Sequence, residues 1–299
     1  ASRAVGAPGV VTVLTGSDVD SDASIDPQFG LFLKDQSPLA RGVARWAGEP
    51  VAAVAAETEA EADAALALIE VEYEPLPAVL DVDRALQAGA PVLHPGARRL
   101  AFPRRDLVAR QPGLAGTNAI HAFRLRRGDV DAGFAEADLI VEGEYRTPGV
   151  SHVAFETHVA VASWTGAPAA AGAWGAEGRS AGSAGSAGGR PRLTVWSSSQ
   201  APSTLAETLA GLFRMPVADV RVIVPTLGGG YGSKIDPSIE PLVALLARRA
   251  RRPVRLQLSR AEEFATYMKH PSVVRLRTGV RRDGTITAHE AVIAYNGGA

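Results

Sequence analysis

The stretch VRVIVPTLGGGYGSK, residues 220–234, constrains the fold of this chain more than any other. The β-branched run at residues 220–224 predicts a strand, and an apolar stripe after the loop predicts a helix that begins at Asp236 or at Pro241. Three successive glycines lie between them and allow positive φ angles, so several backbone N–H groups can face one ligand. This order predicts a backbone cradle for a phosphate, a pyrophosphate or metal-bound oxygens.

The glycine loop differs from the two common nucleotide-binding loops. A P-loop ends in Gly-Lys-Ser/Thr, whereas here Ser233 precedes Lys234 and Ile235 follows it. The dinucleotide pattern G-x-G-x-x-G also fails, because its third glycine would be Ser233. The residues alone also allow a second interpretation, in which the glycines form a structural turn that binds no ligand.

Strands and helices alternate on both sides of the loop, which favours an α/β or an α+β fold, and of these two we expect α+β. Apolar runs predict strands at residues 10–14, 50–55, 71–73, 139–145, 158–164, 192–197 and 254–258, and a hairpin over 273–295 turned at Asp283-Gly284. Helix starts are predicted at the capping boxes Thr58 to Glu61 and Ser259 to Glu262, after Gly128-Asp129, and near Pro202, where Thr204 and Glu207 form a further capping box. We expect a first domain over residues 1–95, a linker over 96–117 and a second domain over 118–299.

Within the second domain, residues 166–189 are mostly Ala, Gly and Ser, which predicts a flexible insertion. Both ends of the chain have the character of interior sequence, so we expect a fragment of a longer protein.

The composition excludes several classes of function. The 31 basic and 32 acidic residues nearly cancel, so no basic face indicates nucleic acid. No apolar run approaches the ~20 residues of a membrane helix, and no signal peptide is visible, so we expect a cytoplasmic protein. The chain has no cysteine, so any iron–sulfur cluster that takes part must be bound by another polypeptide.

The segment WSSSQAP, residues 196–202, places Gln200 between a predicted strand and a predicted helix. Its amide group could donate to an oxyanion or an oxo group. The residues alone favour a simpler interpretation, in which Ser199 and Gln200 cap the helix.

The segment HVAFETH, residues 152–158, contains ligand types that suit zinc. On a strand, however, His152, Glu156 and His158 would spread over about 20 Å, so a single-metal site is not expected. Surface or turn positions are expected for the isolated histidines, His94, His121, His270 and His289.

Two further candidates have simpler explanations. GRSAG, residues 178–182, matches the serine-hydrolase pattern, but it lies in the Ala/Gly/Ser stretch without the strand and helix of a nucleophile elbow. Glu262 and Glu263 are interpreted as solvated charges at a helix start.

Taken together and in order, three of these segments resemble the large subunits of the xanthine dehydrogenase/aldehyde oxidase family. Residues 152–158 are similar to its H-x-x-x-E-x-H/P segment, and residues 198–202 to its S-x-Q-x-P segment. Residues 228–234 are similar to its G-G-G-F-G-x-K loop, with Tyr231 in place of the common Phe. The resemblance covers nearly the whole chain, and it implies an N-terminal α/β-hammerhead domain followed by the first part of a molybdopterin-binding domain.

The resemblance also implies an activity and its partners. Family members hydroxylate a carbon of an aldehyde or an N-heterocycle with oxygen from water. The cofactor would be molybdopterin, in bacteria usually as the cytosine dinucleotide. Electrons would pass to iron–sulfur clusters and FAD on partner chains, in a dimer of heteromers.

For individual residues, the resemblance implies that Gln200 hydrogen-bonds an oxo ligand of molybdenum or the pterin. Gly229, Gly230, Tyr231 and Gly232 would wrap the cofactor through backbone amides. Tyr231 would also line the approach to the metal.

Two departures limit what the resemblance implies. The family's general base is a glutamate far downstream of the loop, beyond residue 299, so no residue here is assigned as catalytic and the fragment alone is expected to be inactive. Purine-oxidising members have a glutamate after the loop lysine, where this chain has Ile235. With Ile235 in the pocket, an aldehyde or another heterocycle is favoured over xanthine. A carbon monoxide dehydrogenase-type member, a cofactor-free accessory homologue and a phosphate- or nucleotide-binding module remain as alternatives.

Overall fold

The computed structural model describes residues 1–30, 33–95, 98–99, 116–120, 122–166, 190–266 and 268–297. Both strands and helices are present, so the predicted α+β class is confirmed. The strands are β1 Val10–Thr15, β2 Leu33–Lys34, β3 Ala52–Ala56, β4 Arg98–Arg99, β5 Leu139–Thr147, β6 Val159–Thr165, β7 Arg192–Ser197, β8 Val220–Ile223, β9 Val254–Gln257, β10 Ser272–Val280 and β11 Ile286–Tyr295. The helices are α1 Ser2–Val5, α2 Gly16–Ser21, α3 Glu59–Leu66, α4 Val82–Ala85, α5 Val130–Ala135, α6 Pro202–Leu212, α7 Glu240–Ala250 and α8 Arg260–Thr266.

The chain forms two compact units. The first contains Ala1–Glu74 and His152–Tyr267, and the second contains Pro75–Ser151 and Met268–Ala299. The limits of these contact-defined units differ from the predicted domain limits. Contacts do not test domain limits, so the division at residues 95 and 118 remains a prediction. The predicted linker 96–117 and insertion 166–189 lie almost wholly outside the described residues. No helix in the described ranges has the length and apolar character needed to cross a membrane.

The first unit is built on a four-stranded sheet in the order β8-β7-β6-β9. β7 and β8 are parallel, whereas β6 is antiparallel to both β7 and β9. Helix α7 packs on this sheet with most of its residues buried, and the indole of Trp164 on β6 donates to the Ala244 carbonyl at 2.9 Å. The antiparallel strands β1 and β3 contribute Leu14 and Ala53 to the same apolar core, so this pair of strands shares one core with the four-stranded sheet.

The starts of two helices test the sequence predictions. Helix α6 starts at Pro202, as predicted, but its N-cap Ala201 makes no side-chain hydrogen bond, so the predicted capping box of Thr204 and Glu207 is wrong. Proline is favoured at the first helical position, where no N–H is needed, and this places Thr204 inside the helix. Helix α7 starts at Glu240, which supports the start near Pro241 over the one at Asp236.

The predicted strand at residues 71–73 is also wrong. Residues 69–81 form neither strand nor helix, and the side chains of Val71 and Tyr73 are exposed. A strand needs a hydrogen-bonded neighbour, and within the described residues the sheet of β1 and β3 has only these two strands. The alternation of acidic and apolar residues therefore marks an exposed extended segment.

The second unit contains an antiparallel three-stranded sheet in the order β11-β10-β5. The hairpin of β10 and β11 turns at Asp283-Gly284 as predicted, with Gly284 at a φ of 87°. On this sheet Arg275 donates to Asp83 and Glu144, and its hydrogen bond holds the pKa of the Asp83 carboxyl below the usual value.

Candidate functional site

Three sequence segments singled out above meet at one edge of the four-stranded sheet. Because β7 and β8 are parallel, residues 198–200 and the glycine loop leave the sheet at the same edge. Strand β6 runs the other way and begins at this edge, directly after residues 152–158. The N–H of Ser198 donates to the Val159 carbonyl at 3.1 Å, which ties two of the segments together.

Gln200 holds the C-terminal half of the glycine loop. Its side-chain oxygen Oε1 accepts hydrogen bonds from the N–H groups of Gly232 at 3.0 Å and Lys234 at 3.3 Å. Since both partners are donors, the side-chain oxygen faces the loop, and Nε2 of this exposed side chain makes no hydrogen bond within the described residues. The side chain therefore does not cap helix α6, and the interpretation favoured from the residues alone is wrong for Gln200.

Two glycines are required by close approach. A Cβ atom on Gly230 would lie 2.3 Å from the Gln200 Oε1 atom, and one on Gly228 would lie 2.6 Å from the Glu156 Cβ atom. Gly229 and Gly232 have φ angles of 97° and 102°, the region that favours glycine. The loop backbone therefore lies against its neighbours at distances that no side chain allows.

Three consecutive backbone donors of the loop are free. The N–H groups of Gly229, Gly230 and Tyr231 have no hydrogen-bond partner in the described part of the chain, although Gly230 is buried. The N–H groups of the next three residues all donate hydrogen bonds: those of Gly232 and Lys234 to Gln200, and that of Ser233 to the Gly230 carbonyl at 2.9 Å. Adjacent free donors on a left-handed backbone form a concave anion site, so the loop fits a phosphate or metal-bound oxygens.

An ion pair between a buried lysine and a partly exposed glutamate lies behind the loop. The Lys234 side chain is 0% exposed, and its Nζ lies 2.9 Å from the Glu156 carboxylate oxygen Oε2. The same oxygen accepts the N–H of Gly228 at 3.0 Å. An ammonium group without water needs such a partner, so the pair connects the segment 152–158 to the loop.

A second pair, buried at both residues, joins the same two segments to helix α8. The His158 ring nitrogen Nδ1 lies 2.9 Å from the Glu263 carboxylate, which also accepts the backbone N–H of His158 at 2.9 Å. On the other side of the ring, Nε2 lies 3.1 Å from the Ser233 carbonyl. Glu263 is thus buried, and its interpretation as a solvated charge is wrong, whereas Glu262 caps the helix with Ser259 as predicted.

The other candidate residues have separate surroundings. Residues 151–158 form no strand, and within the described residues no three His, Cys, Asp or Glu side chains are grouped closely enough to hold a metal ion. Tyr231 has a left-handed φ of 53° and a side chain that is 71% exposed, and Ile235 after the loop is also exposed. His121 and the GRSAG pattern lie outside the described residues.

Asp35 is an unfavourable charge in the first unit. Burial raises the pKa of its carboxyl above the usual 3.8, and the nearby Asp236 carboxylate adds to the rise. A carboxyl with a raised folded-state pKa destabilises the protein when ionised, and this destabilisation disappears as the pH falls below the unfolded-state value.

Asp35→Asn is therefore expected to raise Tm at pH 7, with a difference from wild type that shrinks as the pH approaches 3.8. Thermal denaturation across this pH range measures the effect. Asp63→Asn, at an exposed helical position, serves as the control and should change Tm little. An Asp35→Asn protein less stable than wild type at pH 7 would contradict the argument.

Family comparisons assign almost all of the chain to two known domains. Residues 114–170 and 181–299 match the model of the molybdopterin cofactor-binding domain. Residues 1–77 match the a/b hammerhead domain of aldehyde oxidase and xanthine dehydrogenase. The glycine loop and Gln200 lie within the first of these matches.

Similar proteins include longer subunits of named enzymes. The nicotinate dehydrogenase large molybdopterin subunit of Eubacterium barkeri is 30% identical over 91% of this chain and 54% of its own length. A probable xanthine dehydrogenase subunit of Bacillus subtilis is 30% identical over 97% of this chain and 33% of its own length. Among solved structures, quinoline 2-oxidoreductase from Pseudomonas putida 86 is 28% identical with a TM-score of 0.72, over 97% of this chain and 32% of that chain. The chain thus spans about half the length of the first relative and a third of the other two.

Proposed function

The chain belongs to the xanthine dehydrogenase and aldehyde oxidase family of molybdopterin-binding proteins, and from this premise we propose that it forms part of the molybdenum-cofactor subunit of a hydroxylase. The substrate carbon would belong to an aldehyde or an N-heterocycle, and the oxygen would come from water. The observation that carries the proposal is the row of three free N–H donors at Gly229, Gly230 and Tyr231, next to the free amide donors of Gln200.

The loop residues have distinct roles in this proposal. Gly229, Gly230 and Tyr231 would bind anionic oxygens of the cofactor through their N–H groups. The N–H of Gly232 already donates to Gln200, so Gly232 contributes its left-handed conformation instead. Gln200 would donate from Nε2 to the same ligand, while its oxygen keeps the loop in place. The bound molybdenum centre would supply the oxygen transfer and take up two electrons.

The substrate, the partners and the cofactor form belong to the same proposal. Ile235 offers no polar partner for purine nitrogens or carbonyls, which favours an aldehyde or a less polar heterocycle over xanthine. Similarity to enzymes named for nicotinate and quinoline supports the heterocycle. These 299 residues contain no cysteine that could ligate an iron–sulfur cluster, and we propose that such clusters and FAD are bound by partner chains, in a dimer of heteromers. We also propose that the cofactor is the cytosine dinucleotide form of molybdopterin and that the protein is cytoplasmic.

The molybdenum content of the full-length subunit, purified from its native host with its partners, tests this proposal. A stoichiometric amount of metal with a releasable pterin nucleotide is expected. Absence of molybdenum, despite intact partners and cofactor synthesis, would contradict it and favour the accessory homologue.

Gln200→Glu separates the two proposed roles of the glutamine. The carboxylate still accepts from Gly232 and Lys234, so Tm should stay near the wild-type value. The Nε2 donors are lost, and a hydrogen bond to a charged group contributes about 1.5–3 kcal/mol, so retained molybdenum should fall roughly tenfold or more. Gln87→Glu, the same charge change at an exposed position of the second unit, is the control. Normal molybdenum content in Gln200→Glu would show that Nε2 does not bind the cofactor.

A further inference from the structure

One carboxylate oxygen joins the two ends of the glycine loop. Oε2 of Glu156 accepts the N–H of Gly228 at 3.0 Å and lies 2.9 Å from Nζ of Lys234, so it contacts both the first and the last residue of the loop. The backbone N–H of Glu156 donates in return to the Gly228 carbonyl at 3.2 Å. Glu156 and Gly228 are thus joined by a reciprocal pair of hydrogen bonds.

The N-terminal half of the loop depends on this contact. In the described part of the chain, the hydrogen bonds that reach residues 228–231 from outside the loop all come from Glu156. Gln200 and His158, by contrast, bind the C-terminal half at Gly232, Ser233 and Lys234. The three free N–H groups lie between these two attachments.

Lys234 holds the Glu156 carboxylate in place. Its side chain is fully buried, and a buried ammonium that loses its carboxylate partner is strongly destabilising. Glu156 therefore cannot leave Lys234 without a large penalty, and as long as it stays, its Oε2 atom also fixes Gly228. This one atom thus links the backbone of Gly228 to the side chain of Lys234.

We propose that Glu156 is a positioning residue, whose carboxylate fixes the loop so that the N–H groups of Gly229, Gly230 and Tyr231 converge before a ligand binds. That this ligand is the molybdopterin cofactor rests on the proposed function. The positioning itself is a property of the loop and is measurable without the cofactor.

The test measures hydrogen exchange at single amides in the cofactor-free full-length subunit. Glu156→Ala alone would leave Lys234 buried without a partner and could prevent folding. The comparison is therefore made between Lys234→Met and the double variant Glu156→Ala/Lys234→Met, because the buried ammonium is absent from both proteins. Glu57→Ala/Lys234→Met is the matched control, because Glu57 pairs with Arg252 at the surface of the same unit.

If Glu156 positions the whole loop, its removal should speed exchange roughly tenfold at the amides of Gly232 and of position 234 (Met in all these variants), which its carboxylate does not bind, as well as at Gly228. The Glu57 control should exchange like Lys234→Met alone. Faster exchange at Gly228 only, with the amides of Gly232 and position 234 unchanged, would overturn the proposal. The molybdenum content of the wild-type subunit tests the proposed function separately, so failure of one proposal is distinguishable from failure of the other.

Discussion

Replacing Gly230 with alanine is expected to remove the cofactor from the full-length subunit and to lower its free energy of unfolding by about 1–3 kcal/mol. The new Cβ would lie 2.3 Å from Oε1 and 2.5 Å from Cδ of Gln200, far inside any tolerated contact. The Gln200 side chain must therefore move away, and the N–H groups of Gly232 and Lys234 lose their acceptor. Since Gly230 also lies among the three free donors, the change affects the proposed ligand directly.

Gly211→Ala is the matched control for this variant. Gly211 lies in helix α6 of the same unit, and a Cβ there has no atom within 4 Å. Alanine in a helix is more stable than glycine by about 0.5–1 kcal/mol, so this protein should be slightly stabilised and keep its molybdenum. Urea denaturation and metal analysis of the two variants give the comparison. Wild-type metal content and stability in Gly230→Ala would contradict the close approach of loop and glutamine.

The glycine loop could be predicted from sequence because its signal is local. A strand of β-branched residues, three glycines and an apolar helix follow one another within 31 residues, and the observed β8 and α7 lie at these positions. The alternation of strands and helices favoured the α/β and α+β classes, because periodicity reports local burial, and the observed class is α+β. What the loop binds, however, was inferred from resemblance and not from periodicity.

The supports of the loop could not be predicted, because they join residues that are distant in sequence. His158 and Glu263 are 105 residues apart, and nothing in either segment identifies the other as its partner. Glu262 and Glu263 are adjacent and chemically identical, yet one caps helix α8 at the surface and the other is buried. Gln200 likewise stands where a helix cap is expected, and only the parallel arrangement of β7 and β8 brings it to the loop.

Glu263 is the position at which the second large effect is expected. Its carboxylate accepts the backbone N–H of His158 and contacts the ring nitrogen Nδ1, and both side chains are almost fully buried. Glu263→Ala removes the acceptor from two buried donors of His158, its backbone N–H and its ring, and each such loss costs about 1–3 kcal/mol. Glu263→Gln retains one acceptor oxygen for two donors, so a smaller loss of about 1–3 kcal/mol is expected. Urea denaturation of both variants measures these losses.

The neighbouring Glu262→Gln variant is the matched control for this prediction. It carries the same chemical change one residue earlier, at a capping box in which glutamine is as suitable as glutamate, so its stability should be close to wild type. Because the His158 ring also contacts the Ser233 carbonyl, loss of Glu263 should loosen the end of the glycine loop and lower cofactor retention together with stability. If Glu263→Gln is as stable as Glu262→Gln, the buried pair does not support the loop. If instead Glu263→Gln is destabilised while cofactor retention stays normal, the pair stabilises the unit without positioning the site.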